Sequence, residues 1–386
     1  MIKWLALGVA ALLVILYLNL PTLLEPRFNR VEPHEAYVIQ PQARELHQQL
    51  TIMDWHSDSL LWERNILDHV SRGHVDVPRL QQGNVALQMF TTVTKSPKGQ
   101  NYEKNSAASD RITSLVIAQG WPIRTWDSLL QRSLYQAQKL DNAVNQSDGQ
   151  LRWVRNVPEL EELLASRKTA QLKPIGVLLG MEGAHPLEGD IANLDKLYQH
   201  GFRMIGLQHF FDNRLGGSLH GLSQSGLTEF GRQVVAKLND KQMIIDVAHS
   251  SAKVVEEVLE LSRRPIVVSH TGLYGVCPTA RNLPDQLMQQ VAAKGGLIAL
   301  GYWQAAACDI SPQGIAKMIK YGIDLVGEDH IALGSDFDGA VETRIDSSEI
   351  ATLTQELLAL NVTKMQIRKV MGENSVKFLQ QWLPKA

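Results

Sequence analysis

Met243-Ile244-Ile245-Asp246-Val247-Ala248-His249 is followed by the stretch Ser251–Leu261 and then by Ile266-Val267-Val268-Ser269-His270. The runs Met243–Val247 and Ile266–Val268 are dominated by apolar side chains without alternation. That pattern suits parallel strands buried on both faces. Between them, Val254, Val255, Val258, Leu259 and Leu261 recur at helical spacing. Strand, helix, strand is the repeating unit of a parallel α/β sheet. Both strands deliver a histidine just past their ends.

The same alternation extends in both directions. Leu50–Met53, Val85–Phe90, Ile175–Leu179, Met204–Leu207, Leu297–Leu300 and Ile331–Leu333 bring the candidate strands to eight. Thr228–Leu238, with Thr228 as N-cap, and Gln313–Val326 read as connecting helices. Eight strands alternating with helices predict an α/β fold, a (β/α)8 TIM barrel of the metal-dependent hydrolase type. A doubly wound open sheet is the competing arrangement. No Gly-x-Gly-x-x-Gly follows any candidate strand, so a dinucleotide-binding version has no support. The barrel is expected over 46–386, with a helical insertion at about 95–160 and closing helices over Ile350–Leu383.

The 386 residues carry 38 Lys+Arg against 40 Asp+Glu, a formal net charge of −2. This balance offers nothing to nucleic acid. At 44% hydrophobic and 20% charged the chain has ordinary globular composition. Only two cysteines are present, Cys277 and Cys308, which excludes a Cys-rich zinc module. Their spacing is not ligand-like, and they are expected as free thiols.

Trp4–Leu20 is an uncharged run of membrane-spanning length, preceded by Lys3 and followed by Pro21. It is read as an N-terminal transmembrane anchor or signal segment over 1–24, with a linker over 25–45. No small-x-small cleavage site directly follows it, which favours an uncleaved anchor in the lipid bilayer. Lys3 favours a cytoplasmic N-terminus and an extracytoplasmic (periplasmic or extracellular) main domain, although Arg27 and Arg30 on the far side pull against that orientation.

Active sites of this fold lie where the strands end at their carboxyl side. There the chain places Asp54-Trp55-His56-Ser57-Asp58, Gly180-Met181-Glu182-Gly183, Gln208-His209, Asp246-Val247-Ala248-His249, Ser269-His270 and Gly334-Ser335-Asp336-Phe337-Asp338-Gly339. Six of the eight strands therefore deliver His, Asp or Glu to one rim, and the second and seventh do not. Converging buried carboxylates and imidazoles are costly without a counter-charge, and a divalent cation removes that cost. Imidazole and carboxylate without thiolate suit Zn2+ first, with Mn2+ or Fe2+ open. His56, Asp58, Glu182, His249 and His270 exceed the three protein ligands typical of one catalytic zinc, so two ions with Glu182 between them are expected. Asp336 is placed to move a proton.

These motifs resemble the membrane (renal) dipeptidase family of zinc peptidases, within the amidohydrolase-type barrels. The likeness extends to His74-Val75-Asp76-Val77-Pro78-Arg79-Leu80, Gly226-Leu227-Thr228, Arg281-Asn282-Leu283-Pro284-Asp285 and Gly372-Glu373-Asn374, and covers about 46–380. The resemblance implies two Zn2+ per chain: His56 and Asp58 on one, His249 and His270 on the other, Glu182 bridging. It implies that His209 contacts substrate near the scissile group, that Arg281 binds the substrate carboxylate, and that Asp336 is the acid/base. Asn213 matches an asparagine in the variable loop over the site and is expected to bind substrate. The implied activity is hydrolysis of dipeptides, including those with a C-terminal D-residue, by a metal-bridging hydroxide. Another binuclear amidohydrolase, acting on N-acyl amino acids or β-lactams, and a non-catalytic membrane-tethered barrel are the alternatives. Homodimerisation is left open. His185 is either a support for Glu182 or a loop histidine, His74 is read as structural, and His34, His47, His69, His200, His220 and His330 are unassigned.

Overall fold

The computed structural model describes the backbone of residues 2–386; within the first helix it describes the side chains only of residues 3, 4, 9, 12, 15–17 and 19–24. Eight parallel strands form the centre: β1 Ile52–Ser57, β2 Val85–Val93, β3 Ile175–Glu182, β4 Phe202–Gly206, β5 Ile244–Asp246, β6 Val267–Thr271, β7 Leu297–Leu300 and β8 Ile331–Leu333. Neighbours follow the order β2-β1-β8-β7-β6-β5-β4-β3, and β2 pairs with β3 from Leu87↔Gly176 to Val93↔Glu182. That last pairing closes the sheet into a barrel. All eight strands occur where apolar runs predict them. β1 and β3 run further, to Ser57 and Glu182, because their polar ends are buried and paired inside the barrel mouth.

Strand periodicity sorts the core. Phe90, Leu179, Ile205, Val268 and Ile298 pack with Val234, Val255 and Ile319 of the surrounding helices. Met53, Trp55, Met89, Leu178, Met204 and Val267 form a separate cluster with Phe378. The closing helix Asn374–Trp382 supplies Phe378, which meets Trp55 edge-on at 5.8 Å, while Ser375 accepts from Trp55 Nε1 at 2.9 Å. Two residues per repeat carry the inner parity of Leu178 forward to Glu182 and that of Met89 to Thr91.

The helices begin where their caps dictate. Thr228, Ser251 and Ser311 accept from Gly231, Val254 and Gly314, opening Glu229–Asp240, Ala252–Leu261 and Pro312–Val326. Between β2 and β3 lie helices Ile112–Ala118, Arg124–Asp127, Leu129–Gln146 and Val157–Thr169. A short strand, Leu151–Trp153, sits among them and pairs with Ile175–Val177 at the start of β3.

Two expectations are corrected. Cys277 and Cys308 are joined as a disulfide with Cα atoms 5.4 Å apart. They lie 31 residues apart in sequence, but β6 and β7 are adjacent, so the loops leaving them meet on the same rim. The segment 25–45 is docked rather than a free linker. Glu25 is buried and accepts from Arg64 Nε at 2.7 Å and Arg72 Nε at 2.8 Å. Arg30–Val31 pairs with Glu342–Thr343, and Pro41–Gln48 is helical. The buried Arg64 and the half-buried Arg72, both needing a carboxylate, explain the docking.

The first helix spans Ile2–Leu24. The anchor read over Trp4–Leu20 falls in large part on residues 5–8, 10, 11, 13, 14 and 18, whose side chains lie outside the described residues. Among the described residues, no helix is long and apolar enough to cross a membrane. Tyr17 donates from its hydroxyl to the Ile117 carbonyl at 2.8 Å, tying this helix to Ile112–Ala118.

Candidate active site

Glu182, the last residue of β3, is the hub of the barrel mouth. Its Oε1 lies 3.7 Å from His56 Nε2, 3.0 Å from His249 Nε2 and 3.3 Å from His270 Nε2, and its Oε2 lies 3.2 Å from His209 Nε2. Asp58 Oδ1 and Asp336 Oδ1 lie 3.5 and 4.0 Å from His56 Nε2. All seven side chains are buried. Three triads have ligand atoms within 4.8 Å of one another: His56/His270/Asp336, Glu182/His209/His249 and His56/Asp58/Glu182. Glu182 belongs to two of them.

Hydrogen-bond direction fixes two of the imidazoles. Ser269 donates its single hydroxyl proton to Asp246 Oδ2 at 2.7 Å. Ser269 Oγ lies 3.2 Å from His56 Nδ1 and 2.9 Å from His270 Nδ1, and with its proton spent on Asp246 both rings must donate to it. Each ring then carries its proton on Nδ1 and turns an Nε2 lone pair to the centre. His56 Nε2 has no hydrogen-bond partner, and His270 Nε2 stands 2.9 Å from His249 Nε2. Lone pairs converging on buried carboxylates call for a cation. Protonation demand shows the same thing: burial opposes charge on His56, but Asp58, Glu182 and Asp336 outweigh it and raise the ring to about 10. The oxygen and nitrogen donors therefore fit divalent metal.

Asp246 and Asp54 support this layer. Asp246 Oδ1 accepts from the amides of Ala248 and Ser269 at 3.0 and 2.9 Å, and Asp54 Oδ1 from those of His56 and Ser335 at 2.9 and 3.1 Å. Thr91 of β2 donates to Asp58 Oδ1 at 2.6 Å. Burial lifts Asp336 to about 8, with His56 drawing it down and Asp58 pushing it up. Burial also pushes Glu182 well above the usual carboxylate range, with Asp58 adding to the rise. His209 Nδ1 donates to the Lys95 carbonyl at 3.1 Å, and burial depresses its ring to about 4.

The strained loop after β8 is held from outside. Asp336, Asp338 and Ala340 have φ of 60°, 64° and 61°, a region L-residues rarely adopt. Asp338 is fully buried and ion-paired with Arg64, accepts from Ser59 at 2.5 Å and from the His74 amide at 2.6 Å, and its carbonyl accepts from Trp62 Nε1 at 2.7 Å.

Arg281 is buried against the same mouth. It donates to the Ala248 and His270 carbonyls at 3.0 and 2.6 Å, its Nε has no partner, and its guanidinium lies 5.2 Å from the Trp303 ring centroid. Asn213 is not brought to the pocket. Its amide donates to the Leu207 carbonyl at 2.7 Å and its oxygen accepts from Leu215 N at 2.8 Å, so it shapes its own loop. His185 stacks on Phe211 at 4.5 Å and contacts Asn213.

The pocket above Glu182 is walled by Gln100, Tyr102, Arg111, Phe210 and Trp303, with about 50 Å³ of free space between the side chains. Tyr102 and Arg111 come from the loop after β2, and Trp303 follows β7, the two strands that deliver no acid or imidazole. Reading for ligand types alone misses them; an aromatic just past a strand end is the available signal for Trp303. His220, left unassigned by the sequence, packs 5.4 Å from His249 with its Nδ1 near the Tyr102 carbonyl.

A closed parallel barrel with a carboxylate-centred imidazole cluster at its C-terminal mouth defines a metal-dependent hydrolase. Residues 40–383 match the family model of membrane dipeptidase, peptidase family M19, and the chain belongs to that family. It is a metallopeptidase of the dipeptidase type. Dipeptidase aclJ of Aspergillus oryzae is 27% identical over 86% of this chain and 79% of its own. Dipeptidase verJ of Clonostachys rogersoniana is 26% identical over 81% and 76%. Among solved structures, the probable dipeptidase PvdM of Pseudomonas aeruginosa superposes with a TM-score of 0.74 at 21% identity, covering 89% of this chain and 98% of that one. A Rhodobacter sphaeroides metallopeptidase bound to a phosphinate mimic of L-Ala-D-Ala gives 0.69 at 22%, covering 86% and 99%.

Proposed function

We propose that this protein is a membrane-anchored dipeptidase using two zinc ions and accepting dipeptides with a C-terminal D-residue. The observation that carries the reading is Glu182, whose carboxylate is flanked by His56 at 3.7 Å and by His249 at 3.0 Å. His56 and Asp58 would hold one ion, His249 and His270 the other, and Glu182 both. The ions would activate water at neutral pH and polarise the scissile carbonyl.

The chain's own residues supply the rest. Asp336, buried on the pocket floor beside His56, would take a proton from water and return it to the leaving amine. His209 faces the pocket through Nε2, 3.2 Å from Glu182 Oε2, and would contact substrate near the scissile group. Arg281 has five N–H donors, of which two bonds reach main-chain carbonyls; its remaining donors would hold the substrate carboxylate. The L-Ala-D-Ala mimic bound to the Rhodobacter sphaeroides relative supports a dipeptide with a C-terminal D-residue.

The uncharged run Trp4–Leu20 supports the anchor. The Cys277–Cys308 disulfide supports an extracytoplasmic barrel, since disulfides persist in oxidising compartments. Metal analysis of the full chain, paired with L-Ala-D-Ala turnover before and after chelation, tests the activity. About two zincs, with turnover lost on chelation and restored by Zn2+, is the expected result. Two zincs with hydrolysis of N-acyl amino acids or β-lactams but not dipeptides would refute it. Protease accessibility of the barrel in intact cells tests its side of the membrane.

A further inference from the structure

We infer that Arg111 selects dipeptides bearing a side-chain carboxylate in addition to the C-terminal one. The inference rests on the dipeptidase reading and concerns the wall of the same pocket.

Arg111 lies at the edge of the loop that follows β2, with its backbone amide held by the Ser96 carbonyl at 2.8 Å. It lines the pocket beside Gln100, Tyr102 and Ile112. Its side chain makes one hydrogen bond among the described residues, from Nη2 to Gln100 Oε1 at 3.1 Å. That oxygen also accepts from Ser96 Oγ.

The other arginines in this half of the barrel are spoken for. Arg64 pairs with Glu25 and Asp338, Arg79 with Asp76 and Asp346, and Arg132 with Asp110. Arg281 is tied to two main-chain carbonyls. Arg111 has no carboxylate within 4.0 Å among the described residues, although it is half-buried. Burial accordingly lowers its pKa from the ordinary arginine value.

The carboxylates on the pocket floor, Asp58, Glu182 and Asp336, do not relieve it, because they converge on the imidazole cluster. A partly desolvated guanidinium facing a substrate pocket without an anion is incomplete. A ligand carboxylate completes it, and the planar fork binds one in two-pronged fashion. Arg281 already meets the C-terminal carboxylate in the proposed function. The second guanidinium therefore calls for a second carboxylate, that of an Asp or Glu side chain.

The test measures kcat/KM of the zinc-loaded full chain on Ala-Ala, Ala-Asp, Ala-Glu, Asp-Ala, Glu-Ala and Ala-Lys, with the C-terminal residue in both stereochemical forms. The wild type is expected to favour an acidic dipeptide over Ala-Ala. Arg111→Gln should reduce that ratio by about 10- to 100-fold, the loss expected for one charge-assisted hydrogen-bonded pair. Arg111→Glu should turn the preference toward Ala-Lys. Thermal unfolding and metal content establish that both variants are folded and loaded. A wild type indifferent to side-chain charge, or variants that lower every substrate alike, would overturn the inference. Metal-loaded protein inactive on every dipeptide would refute the underlying activity and this inference with it.

Discussion

Ser269 is the residue whose loss best tests how the metal cradle is built. Its hydroxyl orients two imidazoles at once: His56 Nδ1 at 3.2 Å and His270 Nδ1 at 2.9 Å donate to it, and it donates to Asp246 at 2.7 Å. Ser269→Ala leaves two buried ring N–H groups without an acceptor. Each such group costs about 1–3 kcal/mol if it stays in place. The rings escape that cost by turning, and turning moves both Nε2 lone pairs off the centre. Asp246 is less affected, because it keeps the amides of Ala248 and Ser269. Loss of such a supporting bond lowers metal affinity or activity by about 10–100-fold. His56 and His270 are assigned to different ions, so both sites should weaken together. The assay is zinc occupancy against a graded chelator, read beside kcat. Loss of only one ion would refute the shared-acceptor argument. Two ions held as tightly as in wild type, with unchanged kcat, would refute the tautomer assignment altogether.

Three further outcomes are expected. Asp336→Asn should lower kcat by about 10²–10⁴-fold while metal content is retained, since the amide cannot carry the proton; unchanged turnover would remove its role. His47 is buried between Thr354 and the Gly83 carbonyl, and burial depresses it from 6.5 to about 4. The unfolded chain takes up the proton first, so stability is full above pH 6.5 and falls as pH drops toward 4, by about 3 kcal/mol at 1.4 kcal/mol per pH unit. Urea melts of His47→Gln at both ends of that window should show a shallower acid loss; an unaltered slope refutes the assignment. Replacing Cys277 and Cys308 by serine opens a loop of 31 residues and should cost about 3–4 kcal/mol in the chain-entropy account, seen as a lower unfolding midpoint. Equal midpoints with and without the bond would show that the rim is held by packing alone.

What the sequence made legible follows from what kind of force holds each feature. The strands were readable because buried parallel strands need unbroken apolar runs, and Val267-Val268 or Leu297–Leu300 can hardly be anything else. The ligand-type residues were readable because the barrel puts every strand end on one rim, so His249 and His270 needed no knowledge of their separation. Arg111, Tyr102 and Trp303 were not, since a loop of the β2–β3 connection brings the first two to the pocket by folding back over it. The disulfide was missed for the same reason: the distance that matters between Cys277 and Cys308 runs across adjacent strands, not along the chain. Asn213 was assigned to substrate because its loop lies over the site, but an amide's direction depends on nearby carbonyls such as that of Leu207. Glu25 falls in the stretch 25–45 expected as a linker. Here Arg64 and Arg72 require it.

That last pairing bears on how the Asp336 loop is kept in place. Three positive-φ residues within Asp336–Ala340 cost of order 1–3 kcal/mol each and persist only where the surroundings over-determine them. Asp338 supplies that determination through Arg64, Ser59, Trp62 and His74. Arg64 is in turn held by Glu25, the first residue after the N-terminal helix. Asn29 adds a second tie by accepting from the Ala340 amide at 3.0 Å, at the far end of the same loop. The chain leaving the helix therefore grips the Asp336 loop at both Asp338 and Ala340. The proton-carrying role proposed for Asp336 requires a loop held in one place. The strain at Asp336 is compatible with a single geometry because charges from three distant parts of the sequence are buried together behind it.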